Sequence, residues 1–193
     1  MSLQKTNTRN AVLILMIIAA TAMRFVSYKF PGVLSNFTPV GAIAIFGGVY
    51  FTDKWKAYVV VLLTLFCSDI LINYLYTSQL NLLSGDTFWN CVCFALVIFI
   101  GSLIRKINWS TGLIVLFAPV LVHWLIMDMP WINDAGGLFP KTISGYLAAL
   151  GSAIPFEKNM LLGDILFGAL LFGGFEMAKR KYTVLRPQHA LAL

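Results

Sequence analysis

Long apolar runs alternate with short polar segments along almost the whole chain. A helix rises about 1.5 Å per residue, so a bilayer core of about 30 Å needs roughly 20 apolar residues. The pattern predicts six membrane-spanning helices, at residues 10–28, 39–52, 55–76, 87–106, 110–132 and 159–179. The second run is short and rich in small residues, which predicts a span that is tilted, broken or deeply buried.

The segment 133–158 separates the last two predicted spans. Gly136, Gly137 and Pro140 mark a turn, and residues 141–154 are moderately apolar but too short to cross a bilayer. Pro155 is expected to end this short helix. The predicted fold is therefore all-α: one transmembrane domain over residues 1–193, with six spans and an outer-face helix that forms a lid or pocket wall.

Composition and charge identify the class of protein and its orientation. The chain is 59% hydrophobic and 11% charged, whereas a soluble domain is nearer half apolar and a quarter charged. The net charge of +6 comes from bases at span ends rather than on one face, which excludes a nucleic-acid surface. With six crossings, ten of these bases share one side, so the positive-inside rule predicts that both termini are cytoplasmic.

Three aspartates interrupt the apolar runs. Asp69, Asp128 and Asp164 all fall in the outer half of the predicted spans. A bare carboxylate in hydrocarbon costs several kcal/mol, so these groups are either functional or paired. Their clustering predicts a polar pocket that opens to the outside and binds a small molecule. Two structural alternatives stay open: Asp69 pairs with Arg24, or Asp164 is stabilised at a helix N-terminus.

Further polar residues extend this predicted substrate site. Asn73 lies one turn after Asp69, and His123 lies one turn before Asp128 in a polar and aromatic stretch. The loop before Pro39 starts a helix and carries further polar groups. The candidates added to the three aspartates are Asn36, Thr38, Asn73, His123, Lys141 and Asn159.

The sequence favours a binding protein over an enzyme. Intramembrane aspartyl proteases need G-x-G-D, but Leu161-Leu-Gly-Asp164 lacks the first glycine. Esterase, zinc-peptidase and Walker A motifs are also missing from the sequence. No catalytic residue, metal or cofactor is predicted. Two alternatives remain: an accessory structural subunit of a membrane complex and, less favoured, an enzyme that uses Asp69 with Asp164.

Several short motifs resemble an uncharacterised family of small six-span bacterial proteins, which in turn is similar to the S components of energy-coupling factor (ECF) vitamin transporters. The motifs are Asn36-Phe-Thr-Pro-Val-Gly-Ala42, Phe46-Gly-Gly48, Ser68-Asp69, Pro140-Lys-Thr142, Pro155-Phe156 and Gly163-Asp164. The resemblance implies a substrate-binding subunit in the bacterial cell membrane, and a partner ATPase module. The first span departs from it, because Ala19, Ala20 and Ala22 lack the Ala-x-x-x-Ala docking spacing.

The resemblance also implies a candidate substrate. One S-like subgroup takes up cobalamin with a cysteine on the cobalt, and Cys91 or Cys93 is placed to play that role near the outer end of its span. The expected function is therefore uptake of a vitamin-like small molecule, with a corrinoid as one candidate.

Overall fold

The computed structural model describes residues 2–80, 82, 85–132 and 137–186, without the side chains of 2–7 and 33. Throughout these residues the regular structure is helical, which confirms the all-α class. The helices are α1 Ser2–Ala22, α2 Arg24–Lys29, α3 Pro31–Leu34, α4 Val40–Tyr50, α5 Lys54–Thr77, α6 Gly85–Leu103, α7 Trp109–Met127, α8 Ile143–Gly168 and α9 Gly174–Lys181, with a π-helical turn Ala169–Gly173 and a 3-10 turn Thr183–Leu185.

Five helical segments in the described residues are long and apolar enough to cross a membrane. They are Thr8–Lys29, Lys54–Thr77, Gly85–Leu103, Trp109–Met127 and Ile143–Lys181. The first four match predicted spans to within a few residues, except that α7 ends at Met127 instead of residue 132. The protein is therefore a membrane-embedded helical protein.

Helix α4 is the short second apolar run, and it is buried at the centre of the bundle. It has 11 residues, and all of them except Val49 are buried. The carbonyl of Phe37 accepts a hydrogen bond from Ser27 near the end of α2, and the carbonyl of Tyr50 accepts one from Arg9 near the start of α1. Residues 37–50 therefore cover the same depth as the first apolar helix, and the prediction of deep burial is confirmed.

The prediction that Pro155 ends the helix over residues 141–154 is wrong, because helix α8 runs through Pro155 and continues into α9. Ile143–Lys181 is one helical segment of 39 residues. Proline removes one backbone donor, and its ring crowds the carbonyl four residues earlier. That residue is Gly151, which is exposed like Pro155, so the ring meets no neighbouring helix.

The first half of α8 also makes two hydrogen bonds to α7. The Tyr146 hydroxyl donates to the Leu125 carbonyl at 2.6 Å, and Trp124 Nε1 donates to the Leu150 carbonyl at 3.1 Å. Residues 143–158 are therefore part of the bundle wall rather than a separate lid. Residues 133–136 of the predicted outer segment lie outside the described residues.

The basic residues of α1 and α9 meet at one end of the bundle. Arg9 Nη2 donates to the Tyr50 carbonyl at 2.5 Å, and the Tyr50 hydroxyl donates to Glu176 Oε1 at 2.5 Å. Lys179 Nζ lies 2.6 Å from the same Glu176 oxygen. The charge pattern predicts this shared end, and which side of a membrane it faces stays a prediction.

Candidate functional site

A cavity of about 160 Å³ lies toward the opposite end of the bundle from the Arg9 cluster. Arg9 and Arg24 are separated by 15 residues, most of them in α1, so the cavity lies about 20 Å from that cluster. Helices α2, α4, α5, α6, α7 and α8 and the loop before α4 all contribute to its wall. The lining residues are Arg24, Asn36, Thr38, Val40, Leu65, Asp69, Asn90, Phe94, His123 and Met160.

An ion pair between α2 and α5 forms one side of the cavity. Arg24 Nη2 lies 2.6 Å from Asp69 Oδ1, and Arg24 Nη1 donates to the Ser68 hydroxyl. The Arg24 and Asp69 side chains are only 14% and 19% exposed. This is the structural pairing that the sequence left open, and it compensates the Asp69 charge inside an apolar segment.

A second pair, between α7 and α8, forms part of the wall. His123 Nδ1 lies 3.1 Å from Glu157 Oε1, and Glu157 is 5% exposed. The other Glu157 oxygen, Oε2, is buried without a hydrogen-bond partner. The Phe94 ring stacks on His123 at a centroid distance of 6.1 Å. His123 therefore presents an imidazole that is backed by a buried carboxylate.

The loop at residues 35–39 is held against the bundle by α8. Asn159 Nδ2 donates to the Ser35 carbonyl at 2.9 Å. A Cβ on Gly163 would lie 2.6 Å from the Thr38 carbonyl oxygen, so glycine allows this close approach. Asn36 has a φ of 59°, a left-handed conformation that asparagine tolerates better than most residues. These contacts place Asn36 and Thr38 in the cavity wall.

Three polar side chains in the wall have no partner within the part of the chain that the structure describes. Asn36, Thr38 and Asn90 make no side-chain hydrogen bond to the described residues. The lining also includes four apolar side chains, from Val40, Leu65, Phe94 and Met160. The cavity thus combines a mainly polar wall with four apolar side chains, and some of its donors and acceptors have no partner among the described residues.

Other predicted site residues do not line this cavity. Asp164 caps α4 instead: its Oδ1 accepts from the Ala42 backbone N–H at 2.7 Å, and it lies in a separate, largely apolar groove between α7 and α8. Asp128 ends α7, where burial, and then Glu157, raise its pKa to about 6. Asn73 and Lys141 also lie outside the lining, and Lys141 is exposed.

The cysteines are placed differently from the expectation for a cobalt ligand. Cys93 is fully buried, Cys91 is half-buried, and neither lines the cavity. Their neighbours Asn90 and Phe94 line it instead, because residues four apart share one face of α6. Both thiols are free.

Sequence reasoning missed Asn90 and Glu157. Asn90 follows Trp89 near the start of an apolar run. A single polar residue at this position is typical of the end of a membrane-spanning helix and does not indicate a binding site. Glu157 shares a helical face with Met160 and Asp164, and that spacing is visible only if the helix is taken to continue through Pro155. If the sequence had been interpreted as one continuous helix through Pro155, Glu157 would have been predicted to face the bundle together with Met160 and Asp164.

Comparison with known proteins identifies a family whose function is unknown. Residues 4–188 match the family described as "Family of unknown function (DUF6580)". Neither a curated protein nor a solved structure is significantly similar to the chain. The resemblance to ECF S components therefore stays a prediction.

Proposed function

We propose that this chain, which belongs to the DUF6580 family of unknown function, binds a small molecule in the Arg24–His123 cavity for uptake across the membrane. The observation that carries the proposal is the convergence of Asn36, Thr38 and Asn90 on this cavity without side-chain partners among the described residues. Asn36 is exposed, and Thr38 and Asn90 are half-buried, so their polar atoms can be reached by a ligand that enters the cavity. A polar ligand can hydrogen-bond to all three side chains.

The proposed arrangement has six membrane crossings: the five long helical segments and the short, buried helix α4. The basic cluster around Arg9 would face the cytoplasm, together with both termini, under the positive-inside rule. The cavity would then open to the outside of a bacterial cell membrane. Release of the ligand inward requires a partner ATPase module of the ECF type or a reorientation of the whole protein.

The size of the cavity favours a ligand smaller than a corrinoid. Its volume of about 160 Å³ is close to that of an engineered cavity of about 150 Å³ that binds benzene. A corrin ring with its side chains is many times larger, and no cysteine lines the wall to hold its cobalt. A vitamin-like compound with a single ring fits the site better.

Two other functions have less support. An aspartyl-type enzyme needs Asp69 and Asp164 to share one site, but they line different cavities, and each is bonded elsewhere. An accessory structural subunit has no need of a cavity with unpaired polar side chains. We therefore favour a binding protein that is not an enzyme.

Mass spectrometry of the compounds released from gently purified, then denatured protein tests the proposal. We expect one compound at near-stoichiometric yield from the wild type and from Cys91→Ala, a control change beside the wall. Asn90→Leu should release little or none, because it replaces the amide with an apolar side chain of nearly the same shape. Thermal unfolding checks that all three proteins are folded. A folded wild type that releases nothing and instead co-purifies with other membrane proteins would support the accessory role.

A further inference from the structure

The charges around the cavity are unevenly balanced. Arg24 is the only lysine or arginine among the lining residues, and Asp69 neutralises it at 2.6 Å. On the opposite wall, the buried Glu157 carboxylate stands behind His123, with Asp128 and Asp164 close enough to interact with it electrostatically. Among the described residues, the wall therefore carries no unpaired lysine or arginine, and the buried Glu157 carboxylate lies behind it.

The pairing with Glu157 also determines which proton His123 carries. An ionised carboxylate can only accept hydrogen bonds, so the imidazole donates from Nδ1 at 3.1 Å. In a neutral imidazole the other nitrogen, Nε2, is then an acceptor. Nε2 makes no hydrogen bond to the described residues. His123, which lines the cavity, therefore has one ring nitrogen, Nε2, that no described residue engages.

The apolar part of the wall sets the shape of the ligand. The Phe94 ring stacks on His123 with an interplanar angle of 28°, and Leu65, Val40 and Met160 complete this surface. Flat apolar surfaces of this kind favour a planar ring. A volume near 160 Å³ is enough for a ring of about the size of benzene with small substituents.

We propose that the ligand is a single-ring, nitrogen-containing molecule, neutral or positively charged, which donates an N–H hydrogen bond to Nε2 of His123. Asn36, Thr38 and Asn90 bind its remaining polar substituents. An anion is disfavoured because Arg24, the cation in the wall, is already paired with Asp69 and the buried Glu157 carboxylate repels negative charge. The inference rests on the proposed binding function and assigns its ligand class.

Three probes that share one ring and differ in charge test the ligand class. They are 3-(aminomethyl)pyridine, pyridine-3-carboxamide and pyridine-3-carboxylate, which at neutral pH are mainly cationic, neutral and anionic. The full chain in lipid nanodiscs is titrated with each by calorimetry. We expect the cation and the amide to bind at least about tenfold more tightly than the carboxylate. Tighter binding of the carboxylate would overturn the inference.

Two variants separate the charge of Glu157 from the acceptor on His123. Glu157→Gln keeps a carbonyl oxygen for Nδ1–H but removes the charge, so the preference for the cation over the carboxylate should shrink severalfold while the amide still binds. His123→Leu removes Nε2 and should weaken binding of both the cation and the amide. Cys91→Ala, outside the lining, should leave all three affinities unchanged. If neither Glu157→Gln nor His123→Leu changed the affinity for any probe, the proposed contact with His123 would be contradicted.

The outcomes distinguish this inference from the binding function itself. Protein that carries a stoichiometric native compound but binds none of the probes, or binds the carboxylate best, overturns the ligand class and leaves the binding function standing. Folded protein that carries no compound and binds no probe overturns both.

Discussion

At the residue scale, Asp164 acts as a cap that reaches across from another helix. Pro39, which precedes α4, provides no side-chain cap, and Asp164 of α8 accepts from the Ala42 N–H at 2.7 Å. We expect Asp164→Ala to destabilise the protein by about 0.5–2 kcal/mol, the usual cost of a lost cap. Asp164→Asn keeps an accepting oxygen and should cost less. Thermal unfolding in detergent measures both, and equal losses would argue against capping.

Asp128 should make stability depend on pH. Its pKa rises from 3.8 to about 6, first because of burial and second because of Glu157, against an opposing effect of His123. The folded state thus binds the Asp128 proton more tightly than the unfolded state does. Its stabilising contribution is complete below pH 3.8 and is lost as the pH rises through about 6.

The matched variant is Asp128→Asn, which does not titrate. We expect thermal unfolding curves of the wild type to lose more stability between pH 3.8 and about 6 than those of the variant. Parallel curves in this window would show that Asp128 titrates normally.

At the element scale, α4 and α6 cross at two glycines. A Cβ on Gly48 would collide with the Ile98 carbonyl oxygen and lie 3.0 Å from the Gly101 Cα. We expect Gly48→Ala to separate the two helices and cost about 1–3 kcal/mol, as overpacking generally does. Gly112→Ala, where a Cβ meets nothing within 4 Å, is the control and should be neutral or slightly stabilising. Equal unfolding temperatures for the two variants would contradict this contact.

The continuity of α8 can be measured directly. Leu147 and Leu166 are exposed, at 62% and 48%, and lie on either side of Pro155 in the same helix. In a straight helix their Cα atoms are about 28 Å apart. Spin labels at both positions should give a single distance distribution near that value by pulsed electron resonance, allowing for the linkers. A clearly shorter distance would indicate a separate surface helix ended by Pro155.

At the scale of the whole molecule, the cavity and the basic cluster lie toward opposite ends of the bundle. We predict that the cluster faces the cytoplasm. With the three native cysteines replaced by alanine, Leu138→Cys should react with a membrane-impermeant maleimide in intact cells. Lys181→Cys should react only after permeabilisation. The reverse pattern would place the cavity on the inside and remove the argument for uptake.

The apolar pattern was sufficient for much of the architecture. Four of the six predicted spans coincide with helices long enough to cross a membrane, and the second coincides with the shorter α4, because the length of an apolar run and its polar ends are local properties. Asn36, Thr38, Asp69 and His123 were predicted for a similar reason: a polar residue in or beside an apolar run is costly unless it has a role. Each of them lines the cavity, and that they bind a ligand stays a prediction.

The sequence by itself thus determined the helical membrane class, most helix positions and the residues with an unusual polarity. Only the tertiary structure decided which of these meet: Asp69 with Arg24, His123 with Glu157, and Asp164 with the start of α4. It also decided that α8 continues through Pro155, since that depends on whether a neighbour obstructs the proline ring. The hydrogen-bond and ion-pair partners of a residue, and its burial, depend on residues that are far away in the chain. A local sequence pattern therefore does not predict them.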